Sequence, residues 1–325
     1  MLAEVLLVFA VTAWTQTSAP NDAAVIGILN DIHAVNNLDK TLAFYHDVFG
    51  LEGEPRPFPN PGVPALTNSP GVKLRLAVLR LPNAGYGFEL TEFSGVDRKP
   101  GQPRHTDPGA ADLALRVRDL DSVVAAIKKA GAEMITRSGA PVQLDAEGKV
   151  RSILVRDPDG YIVEALQVPP AADAPSSGNV HGVSMGFTVA DMEKTIKFYH
   201  DLLGFDLTGK MEFAGTPAIL DLTGAAKGAK FRQVAGYVPG TKARIEFYEF
   251  QGIPRTPFHL RVPDPGAPAI CLRVRDLDGL LKRMRGEGVK VTSLNGEVVQ
   301  FSPTIRNIFV EDPNGVNIEL YESRQ

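Results

Sequence analysis

Arg75 in Lys73-Leu74-Arg75-Leu76 and Arg232 in Lys230-Phe231-Arg232-Gln233 recur about 155 residues apart. Each lies in a strand-like run just before the run that carries Glu89 or Glu246. A guanidinium turned inward there would bind a ligand carboxylate through two parallel hydrogen bonds, or neutralise the glutamate. Turned outward it would be a solvated outer-face residue, and period-two alternation alone does not assign the side. Of the six histidines, His46 and His200 share a Phe-Tyr-His-Asp block, where a half-exposed surface role is expected. Neither a Gly-x-Ser-x-Gly elbow nor a phosphate-cradling glycine loop occurs, which disfavours a covalent hydrolase or a nucleotide-driven enzyme. The single cysteine, Cys271, sits in the apolar run Ala269-Ile270-Cys271-Leu272 and is expected to pack as a small hydrophobe.

The elements that must position these residues come in repeats. Phe44-Tyr45-His46-Asp47-Val48-Phe49-Gly50 returns as Phe198-Tyr199-His200-Asp201-Leu202-Leu203-Gly204, and Arg116-Val117-Arg118-Asp119-Leu120-Asp121 returns at Arg273 to Asp278. Asp107-Pro108-Gly109-Ala110 returns at Asp264 to Ala267, and Asp157-Pro158-Asp159-Gly160 as Asp312-Pro313-Asn314-Gly315. Four blocks in one order mark a duplicated domain, expected over residues 25–168 and 179–325, with 169–178 (Pro169 to Gly178) as linker. Each copy divides again. Asn37-Leu38-Asp39 and Asp119-Leu120-Asp121 each open an amphipathic helix after a short apolar strand, Gly50 and Gly131 close them, and strand-like runs follow. Each half-copy thus reads strand, helix, then about three strands.

The chain has 325 residues, 44% hydrophobic and 22% charged, with a formal charge of −4. That is the balance of a globular protein with a sizeable core, and it lacks the basic face that nucleic acid or an anionic membrane requires. Residues Val5 to Trp14 form an apolar stretch of signal-peptide length, too short to span a bilayer. Residues 1–24 are expected to be a signal peptide or a disordered N-terminus. Export to the periplasm or the extracellular space follows if the segment is a signal, and a cytoplasmic location if it is not. No stable membrane insertion of the mature chain is expected, and it should be a monomer or homodimer.

At these motifs the chain resembles the vicinal oxygen chelate superfamily, which includes glyoxalase I, extradiol dioxygenases and the bleomycin and fosfomycin resistance proteins. The Phe-Tyr blocks, the Arg-Val-Arg-Asp-Leu-Asp segments and the turns preceding Tyr161-Ile162-Val163-Glu164 and Val316-Asn317-Ile318-Glu319 carry the resemblance. It implies an α+β fold of tandem glyoxalase-like domains, each of two βαβββ modules forming an incompletely closed, cup-shaped sheet. It also implies that each module offers one metal ligand from its first strand and one glutamate from its last. Carried onto this chain, those positions are Asn30, Glu89, Asp112 and Glu164 in copy one, and Ser184, Glu246, Ala269 and Glu319 in copy two.

An all-oxygen set suits magnesium, manganese or calcium better than iron, zinc or nickel. One hard divalent cation is therefore expected in copy one, and none in copy two, which keeps a hydroxyl and a methyl at its first-strand positions. A rival register would make His33 and His181 ligands, although an odd offset along a strand points a side chain to the opposite face. The resemblance implies a small, oxygen-bearing ligand, with Glu89 or Glu164 moving a proton in a lyase or isomerase, and Arg75, Arg232, Glu246 and Glu319 as substrate-binding residues. Its other implication is a metal-free protein that sequesters a drug or metabolite.

Overall fold

The computed structural model describes residues 23–324. Four βαβββ modules follow one another along the chain. The first comprises β1 (Val25–Val35), α1 (Leu38–Phe49), β2 (Arg56–Pro57), α2 (Val63–Leu66), β3 (Lys73–Arg80) and β4 (Gly87–Ser94). The second has β5 (Ala111–Val117), α3 (Leu120–Ala130), β6 (Val142–Gln143), β7 (Arg151–Arg156) and β8 (Ile162–Gln167). The third has β9 (Val180–Val189), α4 (Met192–Lys197), β10 (Asp206–Ala214), α5 (Pro217–Leu222), β11 (Lys230–Tyr237) and β12 (Arg244–Gln251). The fourth has β13 (Pro268–Val274), α6 (Leu277–Gly286), β14 (Val299–Ser302), β15 (Ile305–Glu311) and β16 (Asn317–Ser323).

Each main helix begins where an Asx side chain caps it. Asn37, Asp119, Asp191 and Asp276 accept the N–H three residues on, at Lys40, Ser122, Lys194 and Gly279. Gly50 and Gly131 close α1 and α3 at φ of 67° and 66°, a left-handed conformation that glycine adopts without strain. The apolar stripes of these helices pack on the convex faces of the sheets, forming one core around Tyr45, Phe88, Leu113, Phe187, Tyr199 and Phe247.

The modules combine in an order that the duplication conceals. One eight-stranded sheet runs β14-β15-β16-β13-β1-β4-β3-β2, the other β10-β11-β12-β9-β5-β8-β7-β6. Module one therefore shares a sheet with module four, and module two with module three. The expectation of two cups, each of two βαβββ modules, holds, but each cup takes one module from each copy. The first strands of paired modules run antiparallel at the centre, β1 on β13 and β5 on β9. The chain changes sheet in the loops after β4 and after β12. Gly266 donates to the Ala34 carbonyl and Gly109 to that of Thr188, fixing these loops to the facing strands. Residues 169–178 join β8 to β9 within one sheet.

Candidate functional site in two interlocked cups

Alternation along the central strands assigns the faces. In β1 the odd positions Asp31, His33 and Val35 point into the core, whereas Asn30, Ile32 and Ala34 line the concave side. The pattern recurs in β5, with Leu113 and Leu115 in the core and Asp112 concave. Asn30, Glu89, Asp112 and Glu164 thus do not share one site. Asn30 and Glu89 belong to the first cup and Asp112 and Glu164 to the second, because β5 pairs with β9 rather than with β1. This corrects the four-ligand set expected for copy one, and with it the assignment of one cation site to that copy alone.

In the first cup, Asn30 Nδ2 donates to Glu89 Oε2 at 2.7 Å. Across the β1–β13 ladder Cys271 stands opposite Asn30, and Glu319 of β16 lies beside Cys271. Asn307 donates to Glu319. Burial and the Glu319 charge push Glu89 up to about 7, against the Asn30 hydrogen bond that favours its ionised form. Burial likewise raises Glu319. Burial and then the Glu319 charge raise the Cys271 thiol, which stays protonated. Among the described residues neither carboxyl has an ion-pair partner, although Arg56 lies near enough to lower Glu89 slightly. An apolar wall surrounds them, from Val63 and Leu66 of α2 to Phe93, Phe309 and the stacked pair Phe58 and Phe301. Gly87 leaves room for the floor, since a Cβ there would come within 2.9 Å of Asn30 Oδ1.

The second cup is charged differently. Glu164 accepts from the Ser152 hydroxyl at 2.5 Å, and His105 Nε2 lies 3.3 Å from Asp112 Oδ2. Glu246 accepts from Arg244 Nε at 2.9 Å, from the Tyr248 hydroxyl at 3.0 Å and from Gln233. Burial and the Asp112 charge push Glu164 up to about 8, so it holds its proton at neutral pH. Burial acts on Glu246 in the same direction, but Arg244 and the donors outweigh it and leave that carboxyl below its ordinary value. Ser184 is buried in β9, opposite Ala114. Ala269 lines the first cup.

Arg75 and Arg232 do not enter either cup. Arg75 pairs with Glu92 at 3.3 Å and Asp39 at 3.2 Å, and Arg232 with Glu249 at 2.7 Å and Glu193. Glu92 and Glu249 in turn accept the first helical N–H groups, at Leu38 and Met192. The other two modules repeat the device: Arg306 joins Glu322 and Asp278, and Arg151 joins Gln167 and Asp121. These arginines fasten each helix start to its sheet, and the substrate-binding role expected for Arg75 and Arg232 is corrected accordingly. Residue 75 pairs with 92 and residue 78 with 89 across β3 and β4, so an odd offset separates arginine from cup glutamate.

His33 faces the core, away from the first cup, and His181 is buried in β9. His46 and His200 are exposed and contact the neighbouring Asp47 and Asp201. Sequence reasoning passed over Arg244, Tyr248 and the cup position of Cys271. The spacing Arg244-x-Glu246-x-Tyr248 places all three on one strand face and could have revealed the second cup's charge pairing. The N-terminal apolar stretch, Val5 to Trp14, lies outside the described residues. No helix among the described residues is long and apolar enough to cross a membrane.

Comparison with known proteins agrees with this architecture. A family model described as Glyoxalase/Bleomycin resistance protein/Dioxygenase superfamily matches residues 30–165 and 183–320. Lactoylglutathione lyase GLX1 of Arabidopsis thaliana is 27% identical over 186 residues, covering 57% of this chain and 56% of that protein. The chain thus matches little more than half the length of that relative. Lactoylglutathione lyase of Haemophilus influenzae is 28% identical over 144 residues, covering 43% of this chain and 91% of its own. Among solved structures, glyoxalase I from Zea mays superposes with a TM-score of 0.59 at 20% identity, covering 91% of this chain and 92% of that one. A putative dioxygenase from Bacillus subtilis gives 0.58 at 14% identity, over 93% and 87%. At such identities the two structures bear on the fold alone.

Proposed function

Because the chain belongs to the glyoxalase/bleomycin resistance protein/dioxygenase superfamily, we propose that it is a glyoxalase-like lyase or isomerase acting on a small oxygen-bearing molecule in the first cup. The observation that carries this reading is the convergence of Glu89 and Glu319, from the first and last modules, on one apolar-walled floor where neither is ion-paired among the described residues. In the second cup Arg244 already neutralises Glu246. The donor chemistry of the first cup, two carboxyls and the Asn30 carboxamide, fits a hard divalent cation such as magnesium or manganese. Asn30, Glu89 and Glu319 would hold it. Such a cation, when bound, polarises a substrate carbonyl.

With no cation bound, burial and the Glu319 charge raise Glu89 to about 7, and a carboxyl titrating there both takes and returns a proton at neutral pH. Asn30 fixes its carboxylate through Oε2, and the opposing Glu319 sits across the floor. The wall from Val63 to Phe309 excludes water around the reacting atoms. Lactoylglutathione is the first substrate to assay, because the curated relatives bear that name and its lactoyl group carries oxygens on adjacent carbons.

The second reading, sequestration without a metal, is favoured for the second cup by the Arg244–Glu246 pair, which leaves a polar, internally neutralised floor. Turnover of lactoylglutathione, measured with and without added magnesium or manganese, tests the first reading. Glu89→Gln should lower kcat by about 100-fold or more. Undiminished turnover in that variant rejects the assignment, and so does turnover lost only in Glu164→Gln.

A further inference from the structure

Behind the first cup, in the core where module one meets module two, His33 of β1 lies against the turn between β7 and β8. Asp157 Oδ1 in that turn accepts the N–H groups of Asp159 and Tyr161, and its Oδ2 accepts the Tyr45 hydroxyl at 3.2 Å. Asp159 accepts from Asn36 N at 2.7 Å and from the Thr41 hydroxyl at 2.5 Å. The second copy builds the same joint from Asp312, Asn314, Tyr199, Thr195 and the N–H of Ala190. There Asn314 Nδ2 donates to Asp312 Oδ2 at 3.1 Å, and Phe187 takes the place of His33. The joint thus needs one carboxylate, an amide and a phenyl ring. Copy one instead carries a second carboxylate and an imidazole, both changes meeting at one point.

His33 Nε2 lies 3.0 Å from Asp157 Oδ2. Yet among the described residues neither ring nitrogen makes a hydrogen bond, and the ring is fully buried beside Tyr161 at 4.4 Å. One ligand atom each from His33, Asp157 and Asp159 lies within 4.8 Å of the others. Two ligands about 2.1 Å from a shared ion stand roughly 3.0 Å apart at a right angle and about 3.4 Å apart at the tetrahedral angle, a range that begins at the observed His33–Asp157 separation of 3.0 Å.

We propose that His33, Asp157 and Asp159 bind a divalent first-row transition cation of the zinc or manganese class, at a site separate from both cups. One imidazole with two carboxylates favours such an ion over calcium or magnesium. The ion neutralises the additional carboxylate that Asn314 makes unnecessary in copy two. It also ties β1 and α1, in one sheet, to the β7–β8 turn of the other. Each ligand is less than one-tenth exposed, so the ion is taken up as the modules close and leaves slowly to a chelator.

The test uses the full chain purified without chelator, with metal content measured by mass spectrometry. The double variant His33→Phe/Asp159→Asn installs the pair that copy two already folds with. A metal content about one equivalent per chain higher in the parent than in this variant, with the same difference kept when Glu89→Gln is present in both, is the expected result. As a second readout, the parent refolded with cobalt(II) should show d–d absorption that the single variant Asp159→Asn weakens or loses. Equal metal content in parent and double variant overturns the proposal. A parent that takes up neither zinc nor cobalt on refolding overturns it as well. Loss of metal in Glu89→Gln alone would instead place the ion in the first cup.

Discussion

Asn30 of β1 and Cys271 of β13 face one another across an antiparallel ladder, although one opens the first copy and the other lies deep in the second. The floor of the first cup is therefore made by the two outermost modules of the chain, and that of the second cup by the two inner ones. Neither copy holds a complete cup.

Residues 23–168 expressed alone should leave β1 and β5 as open central edges, since their antiparallel partners β13 and β9 are missing. Self-association or loss of cooperative unfolding is the expected outcome, read by light scattering and circular dichroism. Mixing with residues 169–325 should restore a one-to-one complex. A stable monomeric fragment with a sharp unfolding transition would contradict the interlocked sheets.

Glu164 makes stability depend on pH in a direction opposite to most carboxylates. Its folded value of about 8 lies above the ordinary 4.5, so the native state holds a proton that the unfolded state has released. Its contribution is complete below about 4.5 and is lost as pH rises to about 8. Glu164→Gln should match the parent in Tm at pH 5 and exceed it at pH 9. Parallel Tm curves across that range would refute the cause.

Asp31 is fully buried in the core, and among the described residues neither of its carboxyl oxygens has a hydrogen-bond partner. Burial, then the charge of Asp112, pushes its carboxyl well above the ordinary carboxylate value. The other three modules place Leu113, Met185 and Ile270 at this position. Asp31→Met should stabilise the protein by about 1–3 kcal/mol in urea unfolding, with the gain growing as pH rises above the ordinary carboxylate range. A destabilised variant would show that the carboxyl has a partner or a task.

Removing the two matched arginines should have unequal costs. The Arg232 side chain is 10% exposed and its partner Glu249 11%, whereas Arg75 is 43% exposed. Arg232→Ala leaves a largely desolvated carboxylate and should cost roughly 2–4 kcal/mol. Arg75→Ala should cost less than about 1 kcal/mol. Turnover at saturating substrate should survive in both. Loss of activity at unchanged stability would return these arginines to a ligand-binding role.

The duplicated architecture and the strand–helix–strands module were legible because local patterning produces them. Asn37 and Asp119 cap helices by their own chemistry, Gly50 and Gly131 stop them, and alternation marks the strands. The glutamates of the last strands were legible only through the resemblance, which implies one in each module. Which modules share a sheet was not. Strands β5 and β13 carry nearly the same residues, Ala114-Leu115-Arg116-Val117 and Cys271-Leu272-Arg273-Val274, so either could pair with β1 on local preference. Only tertiary packing chose between them, through the loops after β4 and β12 that carry the chain from one sheet to the other. That choice gave Glu89 the uncompensated Glu319 as its neighbour, left Glu164 with Asp112 and the Arg244-paired Glu246, and buried His33 against two aspartates. The sequence by itself determined the modules and the alternation along their strands, and long-range strand pairing decided which face became concave and which of its side chains meet.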